Sequence, residues 1–191
     1  DAKMLIQMMM TKALHLKNVL NGVDYLSQDG RILNNIIDPT IVASLIRNVY
    51  ETTGMFNLIY RNTKSKDEKQ ILYLLWVHAG LSYRQRFDET ITTDENREKS
   101  QSEKKHMENI QAEIEKNPLF VKLDEKNKGK IKTKVKEKDY LLKFENEQVV
   151  FLNWRELTKT MDIKNGKLDH AYTYFSLYSH PSNVSVFQFA N

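Results

Sequence analysis

DPTIVASLIRNVYETTGMFNLIYR, Asp38–Arg61, decides the fold. Asp38 suits an N-cap and Pro39 a first helical position, so a helix starts here. Between the ends only Arg47 and Glu51 are charged, and a spacing of four puts them on one helix face. The apolar stripe is Ile41, Val42, Leu45, Val49, Phe56, Ile59 and Tyr60. The side holding Arg47 and Glu51 carries Ser44, Gly54, Met55 and Leu58 where a solvated helix would carry Lys or Glu. The expectation is a central helix buried on both sides, with one ion pair inside the fold.

Working outward, residues 2–27 predict a first helix, with Leu5, Met9, Leu16, Leu20, Val23 and Tyr25 at roughly helical spacing. Gln28-Asp29-Gly30 is a turn, and Ile32–Ile37 a short apolar connector. On the other side Asn62–Ser65 is a polar break, followed by a helix over Lys66–Phe87. Asp67 and Glu68 favour its positive end, and Arg84 and Arg86 its negative end. The run QILYLLWVHAGLSY, 70–83, is apolar nearly all round and marks a buried helix.

The middle of the chain is different. Thr92 and Glu95 are spaced as a capping box and open a polar helix over about 93–116. Its stripe is short (Met107, Ile110 and Ile114), so its first half is expected to project into solvent or cover only an edge. Asn117-Pro118 ends it, and Leu119-Phe120-Val121 can dock one apolar patch. Lys122–Lys138 holds eight lysines, alternating in IKTKVKEK with Ile131, Thr133, Val135 and Glu137. A hairpin arm or a short helix fits that run. Glu145-Asn146-Glu147 turns between two apolar runs. A short helix follows from Asn153-Trp154, with Trp154, Leu157 and Met161 inward and Asn165-Gly166 as its end. The last helix spans about 168–179, stopped by His180-Pro181, and VSVFQF reads as a short strand or an extended segment.

The result is an all-α class: a helical bundle, one domain over 1–191, with a core at about 1–90 and 150–182 and a polar, lysine-rich insertion at about 93–145. The length of 191 residues suffices for one such core. With no cysteine, disulfides and thiolate metal sites are excluded, and a cytoplasmic location fits. No apolar run reaches membrane-span length, and MLIQMMM lacks the cleavage site of a signal peptide. A net charge of +4 permits contact with nucleic acid without demanding it.

Each polar candidate has two readings. Arg47 and Glu51 form either an anion site or a structural pair that fixes helix register. Tyr172, Ser176 and His180, four apart, line one face of the last helix. They serve either proton transfer or a hydrogen-bonded helix end. His78 sits in the dry helix as a core residue or a ligand. Lys130, Lys132, Lys134 and Lys136 contact phosphate backbone or form a solvated loop. No histidine spacing supports a metal site, and no cofactor motif is present.

Arg47-Asn-Val-Tyr-Glu51, the Trp154-led helix, Tyr172 and Ser176-Leu-Tyr-Ser-His180-Pro181-Ser182, in this order, resemble an uncharacterised bacterial all-helical family. Its pattern is an RxxxE helix and a terminal YxxxSxxxH(P/G)S motif. That family is itself similar to the HEPN superfamily, helical domains of bacterial defence and toxin systems. The resemblance implies a metal-independent ribonuclease, with His180 as general acid–base on the RNA 2′-hydroxyl, Arg47 on the scissile phosphate and Glu51 holding Arg47. It also implies a homodimer. Active HEPN sites carry an Arg or other polar residue four to six positions before the histidine. Here those positions are Ser176, Phe175 and Tyr174.

Two functions follow as expectations. The first is a non-catalytic binding or regulatory module in a bacterial defence or toxin setting, with an RNA or protein partner and no membrane. The second is a HEPN-like ribonuclease using His180, Arg47 and Glu51. Binding would draw on Tyr172, Ser176, Ser182, Lys130, Lys132, Lys134 and Lys136.

Overall fold

The computed structural model describes residues 1–159, 161 and 167–179. The fold is all-α: among the described residues eight α-helices accompany two small antiparallel hairpins. The chain forms two compact units, Asp1–Asn57 with Trp154 onward, and Leu58–Asn153. The segment 93–145 lies wholly inside the second unit, as part of its folded body.

The first unit holds α1 (Ala2–Leu20), a hairpin of β1 (Val23–Leu26) and β2 (Ile32–Ile36), α2 (Pro39–Phe56), α7 (Trp154–Lys159) and α8 (Lys167–Tyr178). α1 stops at Leu20, well short of the expected end at Ser27. Gly22 takes a left-handed φ of 78°, and a Cβ there would meet Asn35 Cα at 2.7 Å. Only glycine therefore lets the chain leave the helix and enter a hairpin at this point. The expected turn is present, with Gly30 N–H donating to Ser27 O at 3.0 Å, but the flanking Ile32–Ile36 is a strand rather than a connector.

α2 starts as its sequence requires. Asp38 Oδ1 accepts from Thr40 N–H at 2.7 Å and Ile41 N–H at 3.4 Å. The regular helix stops at Phe56, and Asn57–Arg61 continues as a π-helical turn. The side that carries small and apolar residues is buried, at Gly54, Met55 and Leu58. The first half is wetter than expected: Ile41, Ser44 and Asn48 are exposed. α2 packs against α1, α7 and α8. Leu157 of α7 is fully buried, while Trp154 lies at the surface rather than inward.

The second unit is built on α3 (Lys66–Arg84), whose dry run buries Ile71, Leu72, Leu74, Leu75, His78, Ala79 and Ser82. Ser65 Oγ accepts from Glu68 N–H at 3.1 Å, and Glu68 Oε2 accepts from Lys64 N–H at 2.7 Å. The helix is shorter than expected, ending at Arg84; Gln85–Thr90 tightens into a 3-10 turn. α4 (Asp94–Lys116) is capped by Thr93, the residue after the one the sequence suggests, and buries Ile110 and Ile114 against the unit. Its first half covers an edge of the unit rather than projecting freely. Ser100 is buried and donates to Asp88 Oδ1 at 2.6 Å, and Lys104 pairs with Asp88 Oδ2 at 2.6 Å.

After α5 (Pro118–Lys122), the lysine run forms α6 (Glu125–Glu137), not a hairpin arm. Helical spacing aligns Asn127, Ile131 and Lys134, and all three are buried. β3 (Leu142–Glu145) and β4 (Gln148–Phe151) pair with Glu145 opposite Gln148. Asn146 and Glu147 both take positive φ, as a two-residue hairpin turn requires. Buried Asn127 joins α6 to this hairpin, accepting from Val149 N–H at 2.9 Å and donating to Gln148 Oε1 at 3.2 Å. Asn165-Gly166, the His180-Pro181 stop and the VSVFQF tail lie outside the described residues.

Gly54 marks the closest approach of α2 to α7: a Cβ there would stand 2.8 Å from Leu157 Cγ. Gly54→Ala is expected to destabilise the protein by about 1–3 kcal/mol, the usual cost of overpacking. Thermal and urea unfolding of the variant measure this directly. An unchanged midpoint would mean that Leu157 yields without strain.

Candidate functional site

α2 and α8 bring three of the expected residues together. Arg47 Nε donates to Glu51 Oε1 at 2.7 Å, and Tyr172 Oη donates to the same oxygen at 3.0 Å. The Arg47 guanidinium carbon lies 5.5 Å from the Tyr172 ring centroid, a cation–π distance. Arg47 Nη1 also reaches Ser179 Oγ at 3.4 Å. The ion pair is not sealed inside the fold: the Arg47 and Glu51 side chains are 24% and 23% exposed.

Sequence reasoning missed two members. Ser179 follows Tyr172 by two helical turns, hence lies on the same face of α8. Lys12 of α1 donates to Thr52 Oγ1 at 3.0 Å and also bonds Asn48 Oδ1. Its signal was available, because Lys12 interrupts an otherwise apolar inward row of Leu5, Met9, Leu16 and Val19.

Electrostatics make this cluster a donor-rich one. Burial opposes the charge on Arg47, but its hydrogen bond to Glu51, the Glu51 charge and Tyr172 outweigh it, so the pKa is raised. Burial and the nearby Glu51 raise the Tyr172 phenol above its ordinary value, with Arg47 opposing. Tyr172 therefore stays protonated at neutral pH and acts as a donor. Lys12 is lowered by burial, with Glu51 opposing. Glu51 Oε1 already accepts from both Arg47 and Tyr172, which suits it to positioning Arg47 rather than to taking a proton from a substrate.

Ser176 turns its hydroxyl to its own helix, donating to Tyr172 O at 2.8 Å. Ser179 does the same to Phe175 O at 2.9 Å. These bonds match the hydrogen-bonded helix-end reading of that face. His180 and Ser182 lie outside the described residues.

The lysine candidates lie in the second unit and serve mainly that unit. The Lys134 side chain is only 7% exposed and pairs with Asp139 while lying 4.6 Å from the Phe151 ring centroid. Burial pushes Asp139 upward, but its bonds to Lys134 and to the Leu141 and Tyr140 amides hold it below the usual carboxylate range. Lys130 Nζ donates to Val149 O at 2.5 Å, and Lys132 pairs with Glu115 at 3.2 Å. Lys136 is exposed. Helical spacing thus turns Lys130 and Lys134 toward the hairpin and leaves Lys132 and Lys136 outermost.

A cleft of about 300 Å³ opens beside α4, α5 and α6, with Ile114, Phe120, Ile131 and Val135 as its apolar wall and Lys132 and Lys136 among its polar lining. His78 is buried, and Gln111 lies 3.0 Å from its Nε2. Burial and Lys138 lower the His78 pKa, so the ring is neutral at pH 7 and accepts from the Gln111 amide. Among the described residues no group of three His, Asp or Glu side chains is placed to hold a metal ion. No helix among them is long and apolar enough to cross a membrane.

Two measurements follow. A lowered His78 pKa means the unfolded chain binds the extra proton first, so its stabilising contribution is present above about pH 6.5 and is lost as pH falls from there through the lower folded-state value. Urea unfolding between pH 7.5 and 5.5 should show this loss, and His78→Gln should flatten it. Lys134→Ala should cost about 1–3 kcal/mol, because it strands the partly buried Asp139. Lys136→Ala should stay within about 0.5 kcal/mol of wild type. Comparison with protein-family models, with curated proteins and with solved structures returns no match.

Proposed function

We propose that this chain is a non-catalytic binding or regulatory module working in a cytoplasmic setting. One observation carries the reading. Of the nineteen large hydrophobic side chains left exposed among the described residues, twelve lie between Met4 and Ile41. Large hydrophobic side chains exposed in a group, rather than scattered singly, mark an interaction site. α1 turns Ile6, Met10 and Leu14 outward at steps of four, and every residue of β1 is exposed. A surface of this chemistry favours a protein partner over RNA. The engagement of Lys130, Lys132 and Lys134 within their own unit supports the same preference. The bacterial defence or toxin setting rests on the HEPN-like order of the RxxxE and YxxxSxxxHPS motifs.

One observation favours the second reading, a metal-independent ribonuclease using His180 and Arg47. Arg47 is held by Glu51 and remains a quarter exposed, which is the role the resemblance gives that pair. Against it, the position four before His180 is Ser176, whose hydroxyl is bonded to Tyr172 O.

End-labelled RNA incubated in EDTA separates the two. Wild type is expected to leave the RNA intact, and folded His180→Ala and Arg47→Ala to be indistinguishable from it. Cleavage by wild type that disappears in folded His180→Ala would establish the ribonuclease instead.

A further inference from the structure

We infer that the cleft between α4, α5 and α6 is a binding site for a small amphipathic carboxylate, an organic acid with one negative charge on an apolar body. The site lies wholly inside the second unit. It goes beyond the binding-module reading, which rests on α1 and the first hairpin.

Volume and lining select a small molecule with an apolar body. The cleft holds about 300 Å³, the lower end of the ~300–1,000 Å³ that small-molecule sites occupy. Its floor is core: Ile114, Phe120 and Ile131 line it and are each buried. Side chains that deep are held by close packing on their other sides, so the apolar wall is formed before a ligand arrives. Lys132 Nζ stands 6.0 Å from the Phe120 ring centroid. The cationic lip therefore overhangs the apolar floor, and one molecule can meet both.

Charge selects the head group. α4 brings Gln111 and Glu115 to one lip, and α6 brings Lys132 and Lys136 to the other, each pair four residues apart and hence on one helix face. Lys132 pairs with Glu115 at 3.2 Å. Lys136 is exposed and has no partner among the described residues. The lining thus carries one net positive charge. Both lips come from the closing turns of their helices, which end at Lys116 and Glu137. The backbone carbonyls there carry partial negative charge. A phosphate monoester or polyphosphate would set two or more negative charges against those carbonyls and Glu115, whereas a carboxylate brings the single charge that Lys136 matches.

Octanoate is a probe of this class. Titrated into protein labelled at the isoleucine δ1-methyl groups and followed by NMR, it should shift Ile114 and Ile131 saturably while Ile6 and Ile41 of the first unit stay in place. Lys136→Gln changes an exposed position, so it should weaken octanoate at least ~3-fold without moving the melting temperature. Glu115→Gln should tighten it, because Lys132 is released from its pair. Octan-1-ol and octylammonium, equal in length, should both bind more weakly than octanoate. No shift at millimolar octanoate, or shifts confined to Ile6 and Ile41, overturns the inference. So does octan-1-ol binding as tightly as octanoate, or an affinity that neither charge change moves. RNA cleavage reads the proposed function and the Ile114 and Ile131 methyls read the cleft, so the two conclusions fail separately.

Discussion

Glu51 is a carboxylate on a helix with one other charge, and a carboxylate in that setting needs donors brought to it. Arg47 supplies one from the same helix, one turn earlier, and Tyr172 supplies the other from α8. Lys12 of α1 adds a positive charge close enough for Glu51 to act on it. Two helices distant in sequence, α1 and α8, are thereby tied to α2. Truncating one partner of such a pair costs more than the pair itself contributes, since a charge stays behind without its donor. The helix also meets Leu157 at Gly54, where no side chain fits. Polar matching fixes the register of α2 and α8, and steric contact fixes the depth of α7.

The second unit solves a different problem. α3 is apolar nearly all round and must be covered by helices whose own sequences are mostly charged. α4 provides Ile110 and Ile114, and α6 provides Ile131. That thin apolar supply is supplemented by bonded polar groups at Asn117, Asn127, His78 and Lys134. Asn117 caps α5 through Leu119 N–H at 2.9 Å while donating to Gln70 Oε1 at 3.1 Å. Asn127, His78 and Lys134 act similarly on the hairpin, α4 and Asp139. A buried polar group with its bonds made narrows the choice of packing more than another methyl would, because each alternative arrangement leaves a donor or acceptor orphaned.

Local signals in the sequence fare well, and signals that depend on distant partners do not. Asp38-Pro39, the dry run of α3, the break at Asn117-Pro118 and the turn at Gln28–Gly30 are each written in a few adjacent residues. The pair Arg47–Glu51 is readable for the same reason. Lysine alternation in α6 left hairpin and helix open because Ile131 and Val135 fit both a two-residue and a four-residue spacing. Lys134 became structural only when Asp139 and Phe151 folded beside it. The end of α1 was hidden because Val23 and Tyr25 keep the helical phase, and Gly22 alone costs a helix only about 1 kcal/mol. Nothing in the spacing of residues 51 and 172 announces that a phenol will meet that carboxylate.

α1 and α3 form an internal comparison. Both helices have 19 residues, and both are apolar on more than one side. α3 buries seven of its residues, including both faces of its middle turns, whereas α1 buries Leu5 alone. Composition therefore does not explain the difference; what covers each helix does. α2 covers one face of α1, and the neighbouring hairpin leaves its own apolar residues in solvent instead of closing over the other. A helix and a hairpin that are adjacent in sequence, both apolar and both uncovered, share one physical need. The hydrophobic effect acts on area regardless of which chain supplies the cover.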